Sequence, residues 1–126
     1  MSCMPCYAPS AGMKPFECKK LLEEFLDQPQ LIVRLLRLFI RETQKDIDLF
    51  VAALASKDAA LAATIAHSLK GAAGTIGAEP LRAEAERLEK LGRQGQLQQA
   101  LECVPYLHNE FSRFREYVAG LGPVNE

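Results

Sequence analysis

No stretch of this 126-residue chain approaches the roughly 18 consecutive apolar residues that a membrane-spanning helix requires. The first residues contain no basic run followed by an apolar one, so no signal peptide is recognisable. Net charge is also nearly missing. Fifteen Lys and Arg face sixteen Asp and Glu, leaving −1 and a pI near 6.1. That balance gives no general electrostatic attraction to nucleic acid or to an anionic membrane. A soluble, cytoplasmic protein is expected. No segment alternates apolar and polar residues between turn signals, so strands are not expected. Cysteine is sparse: Cys3, Cys6, Cys18 and Cys103. Cys3-Met4-Pro5-Cys6 has the spacing of a metal or redox pair. No second pair and no histidine lies near it, however, and it does not follow a strand. The alternative is two exposed thiols in a tail. Cys18 and Cys103 read as small apolar fillers.

What the chain does have is helical periodicity, over a length that suits one domain with one core. Residues 1–15 hold three prolines, a glycine and two serines, and read as a flexible tail or linker. The domain is assigned to 16–122 and a short C-terminal tail to 123–126. A short helix is expected from Phe16 or Glu17 to Phe25. Asp27-Gln28-Pro29 ends it, with Asp27 able to cap the next helix and Pro29 suited to its first turn. That long second helix runs from Pro29 to Ala55, on a stripe of Leu31, Leu35, Leu38, Phe39, Ile47, Phe50, Val51 and Leu54. Ser56-Lys57-Asp58 is a turn, and Ser56 or Asp58 can cap a third helix. Gly77 suits a left-handed position at the end of that helix. Pro80 opens a fourth, with Leu81, Ala85, Leu88 and Leu91 inward and Glu84, Glu86, Arg87, Glu89 and Lys90 as a solvated face. Gly92 and Gly95 bracket the next turn. A fifth helix runs from Leu97 to Ala119 on Leu97, Leu101, Val104, Leu107, Phe111, Phe114, Val118 and Leu121. Pro105 should kink or divide it near Glu102. Four substantial helices on short loops predict an all-α, up-down antiparallel four-helix bundle, with an additional short N-terminal helix.

The third helix carries the chemistry. With His67 at zero on a helical wheel, Leu61, Ile65, Leu69, Ala72 and Ile76 fall between roughly 120° and 200°. That is one apolar face, and His67 points directly away from it. Lys70, Gly71 and Gly74 fall within roughly 60° of His67. Each glycine costs a helix interior about 1 kcal/mol relative to alanine. Two of them beside an exposed imidazole imply that something large approaches the ring closely. A neutral imidazole can attack an acyl phosphate, and a lysine one turn away can offset phosphoryl charge. No magnesium-binding carboxylate cluster lies near His67. No glycine-rich nucleotide loop joins a strand to a helix. Phosphate would therefore not come from ATP through this chain unaided. His108, beside Leu107 and Phe111, lacks such a setting and reads as a surface or boundary residue.

His67-Ser68-Leu69-Lys70-Gly71, followed by Gly77-Ala78, resembles the signature of histidine-containing phosphotransfer (HPt) domains, the intermediate carriers of multistep phosphorelays. The resemblance runs from about Leu31 to about Leu121. It implies a four-helix bundle in which His67 is the phosphoacceptor through Nε2, Lys70 neutralises charge and Gly71 gives close access. It also implies that the receiver domain of a hybrid sensor kinase supplies the aspartyl phosphate and the Mg2+. The group then passes to the receiver aspartate of a response regulator. This chain would bind no cofactor and act as a monomer. Some members place a glutamine on the next helix to hold the other ring nitrogen, and the ungapped position here is Glu89. A carboxylate would accept the Nδ1–H bond and fix the tautomer. It would also favour protonation of the ring and oppose a phosphoryl charge. Alternatively, Glu89 is a solvated surface residue. Other function classes fit less of the pattern. An autokinase dimerisation domain usually shows an acidic residue directly after the histidine and a proline a few positions on, where this chain has Ser68 and Leu69-Lys70-Gly71. A metal-binding bundle finds few ligands in two histidines on separate helices. A non-catalytic helical adaptor would bind receivers without phosphorylation.

Overall fold

The computed structural model describes residues 28–120, which form four α-helices. They are α1 (Pro29–Ala55), α2 (Ala59–Ile76), α3 (Glu79–Arg93) and α4 (Leu97–Ala119). Among the described residues there is no strand. The expected helix over 16–25, the cap at Asp27, both tails and Leu121 lie outside the described residues. The connections at 56–58, 77–78 and 94–96 are so short that consecutive helices must run antiparallel. Each helix packs on its neighbours in sequence, and α1 closes the ring against α4. No helix among the described residues is long and apolar enough to cross a membrane.

Helix boundaries follow from the local chemistry. Asp58 caps α2, its Oδ1 accepting the Leu61 N–H at 3.0 Å. Gly77 ends α2 in the left-handed region at φ 83°. The Ala78 N–H then returns to the Ala73 carbonyl at 2.9 Å. The chain thus reverses within two residues, and Pro80 takes up the first turn of α3.

The apolar stripe of α1 differs from expectation in its first half. Ile32 and Leu36 are buried, whereas Leu31 and Leu38 are exposed. Apolar residues at 31, 32, 35, 36, 38 and 39 fit two helical phases, and packing selects one. Phe39 sits at the edge, T-shaped against Phe114 of α4 with centroids 5.2 Å apart. Farther along, Ile47, Phe50 and Leu54 enter the core beside Leu69 and Leu81, Leu88, Leu107, Phe111 and Phe114. Each such side chain contributes about 1.5–3 kcal/mol by leaving water. Pro105 does not divide α4, which is one helix from Leu97 to Ala119. Its missing N–H leaves over the carbonyl of Leu101. Leu101 and Pro105 both lie on the exposed side of α4, where water can supply the donor. Cys103 is buried in the core, as a small apolar filler would be.

Candidate functional site

The buried face of α2 is made of Ala62, Ala63, Ala66, Leu69, Ala73 and Ile76. Leu61 is 47% exposed and Ala72 is exposed, so the face is rotated from the one that the large residues suggest. His67 therefore does not point directly away from the core. It stands at the core's border, on the flank next to α3, with its side chain 62% exposed.

The rotation has a cause. A Cβ placed on Gly92 would lie 3.2 Å from the Cα, Cβ and N of Ala63. Gly92 therefore lets α3 approach the backbone of α2. It lies inside α3 and not in the turn where the sequence suggested it, while Gly95 takes the positive-φ turn position at 70°. The two helices are antiparallel, so one turn beyond Ala63 comes His67 and one turn before Gly92 comes Glu89. The close crossing brings these two together.

Glu89 is not a solvated surface residue. Its side chain is only 7% exposed. Its Oε2 lies 2.9 Å from His67 Nδ1. Lys70 Nζ lies 2.7 Å from Oε1. Arg93 donates to Oε2 from Nη2 at 2.7 Å and from Nε at 3.1 Å. The Lys70 hydrogen bond, helped by Arg93 and His67 and opposed by burial, holds the Glu89 carboxyl down to about 2. At neutral pH it is an ionised acceptor with no proton to give. The hydrogen between it and His67 is therefore assigned to Nδ1, which leaves Nε2 of the neutral ring with its lone pair. Among the described residues, nothing bonds to Nε2.

The other expected positions divide. Lys70 is near His67, but its ammonium is already engaged by Glu89. Gly71 faces open space, since a Cβ there meets nothing within 4 Å. Gly74 is flanked by Arg82, whose Cδ would lie 3.4 Å from such a Cβ. Arg82 is itself held by Glu79 and Glu86. Glu84, also expected on a wet face, is buried on the side of α3 nearer α4. Arg87 stands 3.4 Å from it, and burial pushes its carboxyl up. His108 is exposed, as a surface residue would be. Among the described residues, no group of three or more His, Cys, Asp or Glu could hold a metal ion. Sequence reasoning missed Arg93. The available signal was its spacing of four from Glu89, an ordinary helical ion-pair register.

Fold and site together define a helical bundle built around one exposed, carboxylate-anchored histidine. Residues 34–117 match the model of the Hpt domain, and the chain belongs to that family. Its members are phosphocarriers, so the chain has a histidine phosphotransfer role in a phosphorelay. Among solved structures it is similar to the histidine-containing phosphotransfer protein B (HptB) of Pseudomonas aeruginosa PAO1. The TM-score is 0.75 and the identity 26%, covering 84% of this chain and 92% of that one. No curated protein matches the chain.

Proposed function

We propose that His67 is the phosphoacceptor, taking the group from the aspartyl phosphate of one receiver domain and giving it to the aspartate of another. The observation that carries this reading is the Nδ1 contact to ionised Glu89 at 2.9 Å, on a ring whose side chain is 62% exposed. The Nε2 lone pair attacks phosphorus. An N–P bond forms while the P–O bond to the aspartate breaks, and the aspartate leaves as a carboxylate. The ring gains positive charge in this step, and Glu89 stabilises it through the Nδ1–H bond. In onward transfer a receiver carboxylate attacks phosphorus. The N–P electron pair returns to Nε2, and His67 leaves as a neutral imidazole still protonated on Nδ1.

Phosphoryl transfer depends mostly on positioning and charge neutralisation. Lys70 supplies positive charge one turn from His67, and the bare surface at Gly71 lets a partner close over the ring. In this reading a hybrid sensor kinase and a response regulator provide the receivers. Mg2+ comes with the receiver, and this chain binds no cofactor. It works as a cytoplasmic monomer without nucleic acid or membrane partners. The test is incubation with a phosphorylated, Mg2+-loaded receiver, then mapping of acid-labile, base-stable phosphate. Label on His67 that disappears in His67→Gln is expected. Receiver binding without label would replace this reading with a non-catalytic adaptor.

A further inference from the structure

A carboxylate beside the phosphoacceptor fixes the tautomer, and it also brings two penalties. Its charge favours a second proton on the ring, which would occupy Nε2, and it repels an incoming phosphoryl group. The structure places two cations on this carboxylate. Lys70 takes Oε1, and Arg93 takes Oε2, the same oxygen that holds His67. We infer that Arg93 is a positioning residue, which offsets Glu89 so that the anchored ring stays neutral and Nε2 stays nucleophilic. This rests on the reading of His67 as acceptor.

The charges support it. With His67 neutral, Lys70, Arg93 and Glu89 sum to +1 (+1 +1 −1). Without Arg93 the sum is zero. No other charged group bonds to His67 or Glu89 among the described residues. Lys70 comes from α2 itself, Glu89 and Arg93 come from α3, and α1 contributes no bond to either. Glu86, one turn back on α3, is occupied by Arg82 and Lys90. Arg93 is also a poor candidate for a purely structural part. Its side chain is 60% exposed. What it reaches is the buried carboxylate of Glu89, on the oxygen that also holds His67.

The test uses Arg93→Gln, Glu89→Gln and the double substitution. In the free protein, the His67 ring is followed by NMR across pH. In Arg93→Gln the midpoint should move up by at least roughly half a unit, since water around the exposed ring screens part of the carboxylate field. In the double variant it should return, because a neutral amide needs no compensating cation yet still accepts from Nδ1–H. Transfer from a phosphorylated receiver should follow the same pattern. Arg93→Gln should be about threefold slower near pH 6 and largely recover near pH 8.5, and the double variant should recover near pH 6 as well. An unmoved midpoint in Arg93→Gln overturns the inference. So does a transfer deficit equal at all pH that Glu89→Gln fails to relieve. Absence of label on His67 in the unsubstituted protein would sink the carrier reading, while the NMR titration would still decide whether Arg93 governs the ring's proton.

Discussion

Glu89 has two oxygens and serves three side chains. Lys70 occupies one oxygen, and His67 shares the other with Arg93. Glu89→Ala removes the acceptor for Nδ1–H and strands two cations, so either ring nitrogen can then carry the proton. Transfer should fall roughly 10- to 100-fold, the usual effect of losing such an orienting partner. Glu89→Gln should lose much less, and initial transfer rates for the two variants check this. The same contacts act on stability. The Glu89 carboxyl lies at about 2 in the fold, against an ordinary 4.5. A depressed value stabilises the fold above the unfolded-state value, and the stabilisation is lost as pH falls through the folded one. Urea unfolding should therefore show the protein more stable than Glu89→Gln at pH 6, with the gap closing between about pH 4.5 and 2. A gap that is constant across this range would contradict the assigned contacts. The position of Glu89 could be counted from the sequence, 22 residues after His67. Its burial could not, because that depends on how near α3 comes to α2.

That nearness is a property of two helices and rests on small residues. Gly92 faces the backbone of Ala63 at 3.2 Å from where its Cβ would be. Gly92→Val should push α3 outward, destabilise the fold by about 1–3 kcal/mol and loosen the Glu89 contact to His67. Thermal unfolding and the His67 NMR signal would register the two effects. Gly71→Leu should behave in the opposite way. A Cβ there meets nothing within 4 Å, and the change removes a helix-interior glycine. Stability should hold or rise by up to about 1 kcal/mol, while transfer falls because the partner's approach is blocked. Equal losses in both would mean that Gly71 serves packing. The element boundaries were legible in the sequence because Pro29, Asp58, Gly77 and Pro80 are chemical stop and start signals. The helical phase was less legible. Leucines suggested Leu61 and Ala72 as core in α2, while the buried face there is largely alanine. Alanine fits either side of a helix, so only the neighbouring helix determines which alanines are covered. Leu31 and Leu38 misled in the same way, since Ile32 and Leu36 offered a second apolar phase.

At the scale of the whole molecule, the bundle divides its work. Its interior of Phe50, Phe111, Phe114 and the buried leucines holds four antiparallel helices in register without any contribution from His67. His67 stands at the border of that core on the α2–α3 flank, with its side chain 62% exposed. His67→Gln should accordingly leave the helical content intact and the unfolding free energy within about 0.5 kcal/mol. Circular dichroism and urea unfolding would test this, and collapse of the fold would mean that His67 is a packing residue. The carrier role itself is tested most directly by phosphate mapping. The protein is mixed with an aspartyl-phosphorylated receiver and Mg2+, and the labelled residue is located. The account predicts acid-labile, base-stable phosphate on His67 Nε2, lost in His67→Gln. A receiver that binds the folded protein and leaves His67 unlabelled would contradict it.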